Sequence, residues 1–164
     1  MKSNLKLGII ILFGVAILYQ VYIFFLTEKI NRPSIPDISL ILLNNTKTSV
    51  SQIGEGKQTV VFLVNSNCDY CKREIGQVRS NLDKLVDTEI VFVLFENLNK
   101  IKEFKESFLP EERAFITFAQ AKRENVDPFL ENELVYPYML WYDENGMQKV
   151  QHRGLYPISK IIDL

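Results

Sequence analysis

Two cysteines lie three residues apart in Cys68-Asp69-Tyr70-Cys71, and they are the only two in the 164-residue chain. In a first helical turn, positions i and i+3 share a face, so the two sulfurs can reach each other. The chemistry open to such a pair is thiol–disulfide exchange: one thiolate attacks a disulfide sulfur and the second thiol resolves the mixed disulfide. Before the pair runs Thr59–Asn65 (TVVFLVN), an apolar, β-branched stretch that reads as a strand covered on both faces. After it, helical spacing begins at Asp69. Backbone N–H groups and the positive end of the helix dipole then favour a thiolate at Cys68, the attacking species. Cys68 is the expected nucleophile, and Cys71, one turn in and more buried, the resolving thiol.

Competing chemistries fit less well. A zinc site needs four ligands, whereas the chain offers two cysteines and His152. Haem attachment requires a histidine after the second cysteine, and Lys72 stands there. A structural disulfide closing so small a loop would stabilise little. The reading is therefore of a redox-active Cys68–Cys71 disulfide with no further cofactor and no metal. Asp69 and Tyr70, between the cysteines, are the residues a partner would meet. The Asp69 charge opposes a thiolate at Cys68, and on a helix Lys72 and Arg73 point away from position 68 more than towards it. A weakly stabilised dithiol is a reductant, so the expected direction is reduction. His152, at the end of a strand, reads as structural or surface.

Other elements must hold this pair in place. Asp37–Leu43 and Lys47–Val50 suggest a hairpin around Asn44-Asn45. Ile75, Val78, Leu82 and Leu85 carry helical spacing over 69–86, and Glu89–Phe95 (EIVFVLF) is a second buried strand. An amphipathic helix over Leu98–Leu109 stops at Pro110. Ala114–Phe118 reads as a short strand and Ala121–Asn125 as the start of a helix. Tyr138–Tyr142 and Met147–His152 flank Asp143-Glu144-Asn145-Gly146, a hairpin turn, and Pro157–Leu164 would close the chain as a helix. A β-α-β core followed by a hairpin and a helix describes an α/β sandwich.

The N-terminus is of another kind. Residues 7–26 (LGIIILFGVAILYQVYIFFL) contain no charge, and twenty helical residues span roughly 30 Å, a bilayer's hydrocarbon thickness. With no A-x-A site after Leu26, the stretch reads as an uncleaved signal anchor, its contact with the lipid bilayer made through residues 7–26. Lys2 and Lys6 favour a short cytoplasmic N-terminus over 1–6 and an extracytoplasmic C-terminal domain. Residues 27–36 (TEKINRPSIP), with two prolines, form a tether, and 37–164 the domain. Without Lys2 and Lys6, 17 basic face 20 acidic residues, so no basic excess exists to hold nucleic acid.

The apolar strand, Cys68-x-x-Cys71 followed by Lys72-Arg73-Glu74, Val135-Tyr136-Pro137-Tyr138-Met139-Leu140 and Asp143-x-x-Gly146 together resemble the thioredoxin-like fold. More narrowly, the chain resembles the membrane-anchored TlpA/ResA-type thiol–disulfide oxidoreductases from about Pro36 to Leu164. The resemblance implies a three-layer α/β sandwich around a central mixed sheet. It implies a cis-proline at Pro137 facing the cysteines, and a backbone at Tyr136 that receives an extended substrate segment. It also implies a catalytic carboxylate at Glu74 able to take protons during exchange. Partners would be protein thiols or disulfides outside the cytoplasm and a membrane electron donor. Asn67 before the cysteines, Asp69-Tyr70 between them and bulky Tyr136 suggest a second class, a non-catalytic module that holds an exported partner in the same groove.

Overall fold

The computed structural model describes residues 12–24 and 34–162. Helix α1 covers 12–24, with every residue exposed. Among the described residues, no helix is long and apolar enough to cross a membrane. The expected anchor over 7–26 extends past these bounds on both sides, so residues 7–11 and 25–26 lie outside the description. The 1–6 terminus, tether residues 27–33 and the last two of the expected closing helix also lie outside it.

From Ser34 onward the chain forms one seven-stranded mixed sheet ordered β2-β1-β5-β4-β3-β6-β7. Its strands are β1 (Ser39–Leu42), β2 (Lys47–Ser49), β3 (Gln58–Leu63), β4 (Thr88–Leu94), β5 (Ile116–Gln120), β6 (Tyr138–Tyr142) and β7 (Gln148–Arg153). The centre is parallel: β3 pairs with β4, and β4 with β5. Antiparallel β6 and β1 flank it, and each continues into its hairpin partner. Both hairpin turns use left-handed backbone where the sequence placed them, at Asn45 (φ 66°) and Gly146 (φ 72°).

The central strands read as continuous apolar runs because each face meets its own core. Val60, Phe62, Ile90, Phe92, Met139 and Trp141 face helices α3 (Asp69–Arg79), α4 (Leu98–Glu106) and α6 (Ser159–Ile162), which contribute Cys71, Ile75, Val78, Ile101 and Ile161. Val61, Leu63, Val91, Val93, Tyr138 and Leu140 face α2 (Val50–Ile53) and α5 (Arg123–Val126) through Val50 and Val126. Helices on both faces of a mixed sheet make the expected three-layer, thioredoxin-like sandwich. Phe92 is the hub of the first core, with Phe62, Phe104, Phe108 and Phe118 ring centroids 5.4–6.2 Å away.

Boundaries depart from expectation for local reasons. The helix expected over 69–86 ends at Arg79, because Ser80 Oγ and Asn81 Nδ2 donate to the Gly76 and Gln77 carbonyls and end the ladder. A 3-10 turn at Leu82–Lys84 follows and still buries Leu82 and Leu85. The second strand of the entry hairpin stops at Ser49, whose hydroxyl accepts from Gln52 N–H and caps α2, an element not expected from the sequence. The strand expected over 114–118 is displaced to 116–120, where β1 covers its outer edge. The closing helix is one described turn. The folded unit also reaches back into the expected tether, since Ser34 bridges Met147 and Ile35 N–H donates to Gly146 at 2.7 Å.

Candidate active site

The site lies where the C-terminal end of β3 turns into α3, a region where α/β sheets gather their chemistry. Residues 64–68 connect the two elements, and the amides of Val64, Ser66, Asn67 and Cys68 hold the connection in place. Val64 N–H donates to Val93, Asn67 N–H to Asn65 Oδ1 and Cys68 N–H to the Asn65 carbonyl. Ser66 N–H donates to Glu96 Oε2 at 3.0 Å, and the Ser66 hydroxyl donates to Glu96 Oε1.

Cys68 is the N-cap of α3, the position usually taken by Ser, Thr, Asp or Asn. Its sulfur accepts from Cys71 N–H at 3.2 Å and lies 3.8 Å from the Tyr136 carbonyl. Both cysteines are free thiols; Cys68 is half-buried, whereas Cys71 is fully enclosed. Burial, with the Cys68 sulfur beside it, pushes the Cys71 thiol up to about 12. One sulfur is therefore accessible and capped by a backbone amide, and the other is a buried neutral thiol.

Tyr136 and Pro137 form the opposite wall. The peptide between them is cis, and the Tyr136 carbonyl faces Cys68. The Tyr136 ring packs on Phe95 with centroids 6.2 Å apart. Burial raises its hydroxyl, while the Arg123 charge works against that and the Glu96 and Asp127 charges reinforce it. Tyr70 is 60 % exposed, with the Arg73 guanidinium over its ring at 5.6 Å.

Two expectations about charge need revision. Lys72 does not point away from the N-terminal turn: its Nζ meets Asp69 Oδ1 at 2.8 Å. That bond holds the Asp69 carboxyl below its ordinary range, and Lys72 also feels the Cys68 sulfur. The Asp69 charge is thus offset locally, because a lysine at i+3 can fold back along a first turn. Glu74 lies on the buried face of α3 with Cys71, Ile75 and Val78 and is fully enclosed. Its carboxylate accepts from Tyr156 N–H at 3.1 and 3.3 Å, and burial pushes it up to about 7. The structure thus brings Cys68, Cys71, Tyr136 and Pro137 together, leaves Asp69 and Tyr70 on the rim, and buries Glu74 on the α3 face that carries Cys71.

Sequence reasoning missed Ser66, Phe95, Glu96 and Tyr156. Glu96 carried a usable signal, since it directly follows the apolar run of β4 and so falls at the same end of the sheet as Cys68. Tyr156 carried none, because its contact with Glu74 spans 82 residues. His152 is half-buried, its Nε2 3.1 Å from the Leu155 carbonyl and its ring against Tyr156. Among the described residues, no group of three or more His, Cys, Asp or Glu is placed to hold a metal ion. A cleft of about 610 Å³, lined by Lys57, Gln58, Thr88 and Glu89, opens at the N-terminal ends of the parallel strands, away from the cysteines.

Solved structures share this architecture at low sequence identity. The chain is similar to a thiol:disulfide interchange protein of the thioredoxin family from Chlorobium tepidum TLS, at 16 % identity and a TM-score of 0.65, over 81 % of this chain and 95 % of that one. A secreted Mycobacterium tuberculosis disulfide oxidoreductase matches at 11 % identity and a TM-score of 0.60, over 77 % of this chain and 92 % of its own. Arabidopsis thaliana ScoI, a structure with copper bound, matches at 15 % identity and the same TM-score, over 80 % and 94 % of the two chains. At these identities the likeness is one of fold, which hosts more than one chemistry. No curated protein matches in sequence. The AhpC/TSA family matches residues 32–147, more than two-thirds of the chain and the whole of the Cys68–Pro137 site, and the chain belongs to that family.

Proposed function

We propose that this chain is a membrane-tethered thiol–disulfide oxidoreductase that reduces disulfides in proteins outside the cytoplasm. The observation that carries the reading is the asymmetry of the cysteine pair: an accessible, amide-capped Cys68 sulfur three residues before a buried Cys71 thiol. The Cys68 thiolate attacks one sulfur of the substrate disulfide, and the other leaves as a substrate thiolate. The Cys71 thiol then loses its proton and attacks Cys68, which releases the second substrate thiolate and leaves the Cys68–Cys71 disulfide. Two electrons pass to the substrate, and a dithiol of a membrane electron donor returns them. Glu74, one turn beyond Cys71 on the same face and pushed up to about 7, is the group to take the Cys71 proton near neutrality. Tyr136 presents its backbone to an extended substrate segment beside Pro137, and Asp69 and Tyr70 meet the substrate at the rim.

The reducing direction finds support in Cys71 rather than in Asp69. A thiol that burial pushes up to about 12 adds no ionic stabilisation of its own to the dithiol at neutral pH, which agrees with a reducing pair. Tethering through 7–26 and the organisation into a 1–6 cytoplasmic end, an anchor, a 27–36 tether and a 37–164 domain rest on the uncharged twenty-residue run. The exposure of apolar residues around all of α1 agrees with a helix that needs a lipid environment. The secreted Mycobacterium tuberculosis disulfide oxidoreductase of similar fold agrees with an extracytoplasmic domain.

The test is reduction of insulin by the full chain in non-ionic detergent with dithiothreitol as electron source. Turnover lost in Cys68→Ser supports the reading. A wild-type chain that binds a partner yet leaves the insulin disulfides intact identifies the non-catalytic module instead.

A further inference from the structure

The loop that carries Cys68 is anchored by a side chain from another strand. Within 64–68, the Asn65 bonds are local, made by neighbours two and three residues away. Ser66 is different: both its amide and its hydroxyl donate to the carboxylate of Glu96, 30 residues on. Each oxygen of that carboxylate takes one of these bonds, a two-point grip that leaves the turn little freedom to rotate. Glu96 is itself held, since its carbonyl accepts Gln120 Nε2 at 2.8 Å from the end of β5. The preceding residue, Phe95, packs on the Tyr136 ring. The pair 95–96 therefore touches both walls of the cysteine site, the Ser66 turn through a carboxylate and Tyr136 through a ring.

We infer that Glu96 is the positioning residue of this site, fixing the Ser66-Asn67 turn so that the Cys68 sulfur is held between Cys71 N–H and the Tyr136 carbonyl. The inference deepens the exchange reading and rests on Cys68 and Cys71 being the redox pair. A fixed turn keeps the two sulfurs at high effective concentration, which favours the disulfide. Removing Glu96 shifts the pair towards dithiol.

The experiment equilibrates the full chain with reduced and oxidised dithiothreitol. In that exchange the Cys68–Cys71 disulfide plus the dithiol gives two protein thiols plus the cyclic disulfide. Glu96→Ala shifts the equilibrium towards protein dithiol at least fivefold, Glu96→Gln less because one acceptor oxygen survives, and Ser66→Ala at least twofold. Hydrogen exchange at the Ser66 amide quickens at least tenfold in Glu96→Ala and not in Ser66→Ala, where the amide bond remains. If Glu96→Ala does not fold, the shift towards dithiol is read in Glu96→Gln and Ser66→Ala instead. An equilibrium within 1.5-fold of wild type in every folded variant, or a shift towards disulfide, overturns the inference. The equilibrium is measured whether or not the chain turns over insulin. Failure of the exchange reading is thus seen in the insulin assay alone, and failure of the Glu96 role here alone.

Discussion

Glu74→Gln isolates the cost of burying a carboxylate on the inner face of α3. In the unfolded chain Glu74 ionises near its ordinary 4.5, and in the fold near 7 because burial disfavours the charge. Between those values the folded state still holds a proton that the unfolded state has released, so stability falls as pH rises through this window. Below 4.5 both states are protonated and nothing is lost; above 7 the full penalty is in place. At about 1.4 kcal/mol per pH unit, the penalty comes to about 3 kcal/mol. Glutamine keeps a carbonyl oxygen for Tyr156 N–H and cannot ionise, so whatever its amide costs is independent of pH. Urea denaturation of the full chain, followed by fluorescence of Trp141, the only tryptophan and a buried one, gives both stabilities from pH 4 to 8. A phosphine reductant keeps the thiols reduced, and Cys71 at about 12 does not titrate in the range. Relative to the variant, wild type should lose about 3 kcal/mol between pH 4.5 and 7. A difference that stays flat across that window, or moves in favour of wild type, refutes the reasoning.

Phe92→Ala removes the hub of four ring contacts from a fully buried site and should cost about 3–5 kcal/mol in the same denaturation assay. A loss under 1 kcal/mol would mean that the aromatic cluster repacks. Iodoacetamide at neutral pH should alkylate Cys68 at least tenfold faster than Cys71, read by peptide mass spectrometry, since only Cys68 is accessible; equal rates would reject the order of attack. A membrane-impermeant thiol reagent should label Cys68 in intact cells, and labelling only after lysis would place the domain on the cytoplasmic side.

What the sequence disclosed and what it hid follow from the range of the interactions involved. The central strands were legible because Val60 to Leu63 and Ile90 to Leu94 are apolar without a break, the mark of a strand with a core on each face. The cysteine pair was legible because two residues three apart, between a strand and a helix, define their own geometry. Helix ends were not, since Ser80 and Asn81 terminate α3 by side-chain bonds that compete with an otherwise good apolar spacing. The sheet order was hidden as well: β1 sits beside β5, nearly eighty residues away, and no local pattern announces that pairing. Within the site, Lys72 was misjudged because helical direction alone ignores how far a lysine stem reaches back to Asp69. Glu74 was identified by resemblance, but its burial depends on the Tyr156 segment folding over α3.

The central claim, that Cys68 attacks and Cys71 resolves, is tested most directly by the Cys71→Ser chain. Incubated with a disulfide-containing protein, it should stall as a one-to-one mixed disulfide through Cys68, visible by intact mass and dispersed by dithiothreitol. Absence of that adduct, or its equal formation by the Cys68→Ser chain, would contradict the account.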